Sequence, residues 1–222
     1  MNTPIRVVLE TARKKSFASA IDWPGWSRPA KTPEAALQVL ADYAPRYAVV
    51  VERAGLSSAA VTEPSLDVIE TVPGTATTEF GAPDVPIALE SEQMSDRDCE
   101  RHIALLRASW EVFDETAGRV SEELQKGPRG GGRNRSKIIE HVFEAERAYV
   151  RNLGVRTPKG AMFTPEGLAT HRDAVCEGIR HHNSRGESAR KWPLRYVIRR
   201  ATWHVLDHAW EMEDKDLSGP KG

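Results

Sequence analysis

His204 and His208 stand four residues apart in Arg200-Ala-Thr-Trp-His204-Val-Leu-Asp-His208-Ala-Trp-Glu211. On a helix that spacing stacks both imidazoles on one face. Leu194, Val197, Ala201, Val205 and Met212 share the face, so the pair points into apolar surroundings. His141, three residues after Ile138 and four before Ala145, points inward from a second helix. A lone inward histidine is ordinarily a core residue with both nitrogens satisfied. Three together are costly to bury unpartnered, and one divalent ion would satisfy all of them. Neutral imidazole suits Zn²⁺, Ni²⁺, Fe²⁺ or Cu²⁺, and three protein ligands leave positions open for water or substrate. Pattern alone leaves both readings standing, a metal site and a set of core histidines.

The neighbours carry weaker signals. Glu211 lies three residues after His208 and seven after His204, so its carboxylate can hold a ligand imidazole or accept a proton. A surface acid in a last helical turn is the equal alternative, and Glu211 is the sole catalytic candidate. Glu144, one turn beyond His141, could orient that ring. His171 shares a stripe with Leu168 and Val175 and is expected to border a cavity. His102, His181 and His182 read as surface residues and Asp207 as a solvated acid. Trp110 is core by spacing, while Trp203 and Trp210 flank the histidine pair, where packing is favoured over walling a pocket. Arg180, Arg185, Arg190, Lys191, Arg195, Arg199 and Arg200 gather positive charge near one interhelical link, as a solvated face or a lure for an acidic substrate.

Four helices are needed to position these residues. Ser95 opens the first, with Ile103, Leu106, Trp110, Phe113, Ala117, Val120 and Leu124 at alternating spacings of three and four. The run Gly127-Pro-Arg-Gly-Gly-Gly-Arg ends it, and a second helix spans about Ser136 to Asn152. Thr164-Pro165-Glu166 caps a third, and the fourth starts near Pro193. Short to moderate connections argue for an antiparallel four-helix bundle over 95–217. Residues 1–72 read as a small α+β unit, with strands at Ile5–Glu10 and Ser16–Ile21 and a Pro24-Gly25 turn. A helix opens at Thr32-Pro33-Glu34 and is kinked or divided at Pro45, with Gly55 as its cap; 56–64 is expected as loop and Leu66–Glu70 as a further strand. Residues 73–94 form a Pro/Gly-rich connector, expected to run along the surface or to be partly mobile.

The segments Ser136-Lys-Ile-Ile-Glu-His141-Val-Phe-Glu-Ala-Glu-Arg and His204-Val-Leu-Asp-His208 resemble the DinB-like superfamily of four-helix bundles, which carries one histidine on its second helix and an HxxxH pair on its fourth. The resemblance spans roughly the C-terminal 125 residues. It implies a divalent metal, zinc or nickel first, on His141, His204 and His208, and thiol-dependent transfer or isomerisation of a small electrophile. The stretch Phe17-Ala-Ser-Ala-Ile-Asp-Trp-Pro-Gly-Trp and Lys31-Thr-Pro-Glu-Ala-Ala-Leu more weakly resembles HicB-like domains, with a βββαβ order and a partner-binding or lid role, but without their DNA-binding extension.

Bulk properties narrow the function. The net charge is −1, and 1–90 holds 8 basic against 11 acidic residues, so neither part has the basic excess of a nucleic-acid binder. No apolar run is long enough to span a membrane. Cys99 and Cys176 are far apart and read as free thiols in a reducing compartment, which makes the cytoplasm the expected location. Two functions follow. One is a metal-dependent enzyme activating a thiol or water, with a low-molecular-weight thiol and a small electrophile as partners and a homodimer left open. The other is a non-catalytic binding or regulatory module with a structural metal and a HicB-like partner-binding unit.

Overall fold

The computed structural model describes residues 3–128 and 130–218. Its first part is a four-stranded sheet in the order β3-β2-β1-β4, built from Ile5–Thr11 (β1), Ser16–Ala20 (β2), Ser27–Ala30 (β3) and Leu66–Pro73 (β4). β1 pairs antiparallel with β2 and parallel with β4, the latter with a register break between Val7 and Val8. A parallel return needs a long crossover, supplied here by helices Pro33–Asp42 (α1), Ala44–Arg53 (α2) and Ala59–Thr62 (α3). Thr32 caps α1 by accepting from the Ala35 N–H at 3.2 Å, and Pro33 takes the first helical position. The chain breaks between α1 and α2 at Tyr43, so Pro45 falls in the first turn of a new helix, where its missing N–H costs nothing.

Three sequence expectations need correction here. β3 is not legible in Ser-Arg-Pro-Ala, which lacks strand composition, although the βββαβ order of the HicB-like resemblance has a place for it; as an edge strand it tolerates Pro29. Residues 56–64 contain the short helix α3 rather than only loop. The connector is neither bare nor loosely attached. It carries Ala76–Phe80 (α4) and a 3-10 turn, Ala88–Ser91. Two buried carboxylates fasten it at either end. Glu10 accepts the Thr78 hydroxyl and the N–H groups of Asp84 and Val85 at 2.9 and 3.1 Å. Glu90 accepts both sides of the Arg199 guanidinium at 2.7 and 2.9 Å. The polar composition that suggested a mobile linker is the part these carboxylates bind.

The remaining long helices are Asp96–Arg119 (α5), Arg135–Tyr149 (α6), Pro165–Arg185 (α7) and Leu194–Asp214 (α8). α5 is shorter than its apolar stripe suggested. Val120 is its cap residue and Leu124 forms an isolated bridge with Asp216, yet both stay buried. α6 likewise gives way to a 3-10 turn, Val150–Leu153, closed by Gly154 in the left-handed region. α8 packs against α5 and α6, and α5 also packs on α7. Among the described residues no helix is long and apolar enough to cross a membrane.

α8 is buried on more than the one face its apolar stripe marked. Val197, Val205 and Met212 join the cluster shared with α5, α6 and α7. Leu206 and Trp210 join a second cluster with β1, α1 and α2, together with Leu105 and Ala108 of α5. Trp26 stacks on Tyr47 at 5.1 Å and donates its indole N–H to the Leu40 carbonyl, while Tyr47 donates to Pro24. This fixes the Pro24-Gly25 turn against α8. Gly25 has φ +94, and a Cβ there would meet Leu206 Cδ1 and Thr202 Cγ2 at 2.7 Å, so only glycine allows the approach.

Arg199 and Glu90 are 4 % and 0 % exposed, so each depends on the other for its charge. Glu90→Ala should therefore destabilise the protein by about 3–5 kcal/mol, while Glu90→Leu with Arg199→Met should recover most of that loss. Urea unfolding would check this; equal stability of wild type and the single variant would show that the pair is not fully desolvated.

Candidate metal centre

The order of side chains along α8 sets the site. With its other faces committed to the two clusters, α8 turns His204 and His208 toward α6, where His141 meets them. The His141 ring lies 4.9 Å from each of the other two, and those two are 4.6 Å apart, centroid to centroid. One nitrogen from each ring lies within 4.8 Å of the others. The closest pair is His141 Nε2 and His204 Nε2, at 3.2 Å. Two nitrogens bound to one zinc-sized ion at ~2.0–2.1 Å in tetrahedral geometry stand ~3.3–3.4 Å apart, so this spacing fits shared coordination.

Glu211 is the neighbour whose geometry is sharpest. Its Oε2 lies 2.7 Å from His208 Nδ1, and Lys215 Nζ sits 2.6 Å from its other oxygen. The hydrogen bond to His208, then the Lys215 contact, hold the Glu211 carboxyl down to about 2 against the cost of burial. An ionised carboxylate on Nδ1 makes that nitrogen the donor and leaves Nε2 with its lone pair toward the other rings. Burial, with Arg133 adding to it, pushes His141 down to about 4, and burial pushes His204 well below the usual imidazole range. Both rings are therefore neutral at physiological pH, the form that can donate a lone pair. His204 Nδ1 is buried and unpartnered among the described residues.

The site opens on one side. A cleft of about 460 Å³ is lined by His141, Glu144, Lys126, Gly132, Arg133 and Asn134. The glycine-rich loop after α5 thus borders His141, with Gly132 at φ +136 letting it turn in front of α6. Arg129 of this loop lies outside the described residues. On the opposite side Tyr149 sets its ring edge-on to His204 at 5.6 Å.

Other expected participants lie elsewhere. Glu144 is paired with Arg147 rather than with His141. Asp207 binds Arg28 at 2.9 Å. His171 lines a separate cleft, its Nδ1 2.6 Å from the Thr157 hydroxyl and its Nε2 3.3 Å from buried Glu146. Trp203 packs edge-on against Phe17, and Trp210 against Tyr43 under Arg28, so both serve packing. Trp110 is buried in the helical core. His102 is not a surface residue: it is 3 % exposed, its Nδ1 2.8 Å from the Asp98 carbonyl, and burial pushes it down to about 4. His182 is half-buried and His181 exposed. The basic cluster is broken up, since Arg180, Arg185 and Arg199 are held by Glu100, Glu187 and Glu90. Spacing gives Ala148 or Tyr149 as inward on the second helix, and it is Tyr149 that meets His204, while Arg133 belongs to the glycine-rich loop expected to approach the site.

The His141 shift gives a signed pH dependence. From its ordinary 6.5 down to about 4, the unfolded chain takes up a proton at this ring that the folded chain refuses. Metal-free protein should therefore lose stability as pH falls through that window. In His141→Gln the fall in Tm between pH 6.5 and 4 should be shallower; parallel curves would show that the ring is not held neutral.

No family model matches the chain, and no curated protein and no solved structure matches it either.

Proposed function

We propose that α5 to α8 constitute a DinB-like four-helix bundle in which His141, His204 and His208 hold one divalent ion, zinc or nickel. The protein is then a metal-dependent enzyme that activates a thiol or water against a small electrophile. The observation that carries this reading is the convergence of three ring nitrogens within 4.8 Å, two of them on rings held neutral. The bound ion would supply Lewis acidity, lowering the pKa of a thiol or water beside it.

The chain's own contributions are distinct. Glu211 fixes the His208 tautomer and, through Lys215, keeps its own negative charge. Arg133 adds positive potential beside His141, which favours an anionic thiolate in the cleft. The 460 Å³ cleft admits a small molecule on the face the histidines leave open. This opening favours the enzyme over a closed structural metal site, which would be saturated by protein ligands. The N-terminal unit, with its β-β-β-helix-β order, suits a HicB-like ancestry and here packs against α5 and α8 as support. The two buried free cysteines, Cys99 of α5 and Cys176 of α7, fit a reducing cytoplasm, where low-molecular-weight thiols are at hand.

Elemental analysis of the purified protein should find about one zinc or nickel per chain, and the His204→Ala/His208→Ala double variant should lose it. Adding a low-molecular-weight thiol to the loaded protein should raise Tm, an effect absent from the variant. Full metal occupancy in the variant would overturn the ligand set. Occupancy without any thiol response would turn the reading toward a structural ion.

Glu211→Gln tests the tautomer argument. The amide cannot replace the carboxylate charge, so metal affinity should fall about 10–100-fold with Tm of the metal-free protein little changed. A competition titration with a chelating dye reads this directly, and unchanged affinity would mean Glu211 serves only Lys215.

A further inference from the structure

Arginine is used in this fold mainly with a carboxylate: Arg28 with Asp207, Arg107 with Asp173, Arg172 with Asp114 and Arg180 with Glu100. Arg151, Arg156 and Arg190 depart from that habit. Together with Thr157 they line a cleft of about 390 Å³, and among the described residues none of the three has a carboxylate partner. Three guanidinium groups facing one concavity repel one another unless an anion sits between them.

The surrounding structure holds them there. The Val155 N–H donates to the Val150 carbonyl at 3.3 Å. Thr157 is held twice, by its carbonyl to Arg147 at 3.0 Å and by its hydroxyl to His171 at 2.6 Å. The backbone at Arg156 is therefore held by its neighbours on both sides. Arg190 caps a tight turn closed by the Trp192 N–H to the Ala189 carbonyl, and its φ of +49 is one that residues other than glycine seldom adopt. Trp192 anchors that turn on Tyr149, 5.8 Å away, two residues before Arg151. One aromatic contact thus brings Arg190 opposite Arg151.

We propose that the cleft framed by Arg151, Arg156 and Arg190 binds the phosphate group of a small ligand. Planar guanidinium forks match the oxygens of a tetrahedral dianion two at a time, which isolated surface lysines do not. An extended polyanion is a poorer fit, because the chain as a whole carries a net charge of −1. The site is separate from the histidine centre, with Tyr149 touching both His204 and Trp192 between them.

The test is calorimetric titration of full-length, metal-free protein with inorganic phosphate and with phenyl phosphate at fixed ionic strength. Metal-free protein keeps the outcome independent of the histidine site. Saturable binding at one site per chain is expected, weakened about tenfold or more by Arg151→Ala, Arg156→Ala or Arg190→Ala. Arg151→Lys should lose most of that affinity despite keeping its charge, and Arg97→Ala, an exposed control, should lose none. All four positions are exposed, and an unchanged Tm would show that folding is intact. Tighter binding of phenyl phosphate would assign the cleft to a phosphomonoester, the reverse order to free phosphate. Unsaturable binding, or equal weakening by Arg97→Ala, would overturn the proposal.

Discussion

The constraint on which this structure depends is that one helix, α8, has almost no solvent face. Buried helices of this kind are usually apolar all round, yet α8 carries Arg199, Arg200, Thr202, His204 and His208 among its buried residues. Each polar group then needs a partner within the protein. Arg199 has Glu90, Arg200 reaches the Pro83 carbonyl, Thr202 bonds back to Ile198, and His208 has Glu211. On the α6 side one nitrogen from each of three rings lies within 4.8 Å of the others, and that is where the histidines meet. At this site His204 Nδ1 is left buried and without a partner among the described residues.

The same constraint explains the N-terminal unit and the strap. A helix packed against others normally offers its outer surface to water, but Leu206 and Trp210 are covered by β1, α1 and α2. The strap between the two parts supplies the carbonyls and the carboxylate that Arg199 and Arg200 require. Its irregular backbone is stable because Glu10 and Glu90 satisfy its N–H groups from within. Removing either carboxylate would leave buried backbone donors unmatched.

Much of the site was readable from spacing. His141, His204 and His208 come together, and Glu211 lies on His208, because an i, i+4 pair and an i, i+3 neighbour have few other arrangements on a helix. Helix starts at Thr32, Ser95 and Thr164 follow from capping chemistry. What spacing could not give were contacts made across the chain. Glu144 turned to Arg147, His102 was buried by the fold around it, and β3 exists because β2 offered an edge to pair with. The double burial of α8 was hidden for a related reason. Its second face carries Leu206 and Trp210, which lie off the stripe of Leu194, Val197, Ala201, Val205 and Met212.

The central place of α8 has a consequence for how the protein is made. Of the helices and strands described, α8 follows all the others in chain order, so it leaves the ribosome after them. Until it does, β1, α1, α2 and α5 expose the apolar residues that Leu206 and Trp210 later cover, and α6 and α7 lack the side of the core that Val197 and Met212 complete. Neither cluster is complete before α8 emerges, and both close over one short interval once it has. A premature stop before α8 would therefore leave two apolar surfaces open at once, the kind of exposure that favours aggregation.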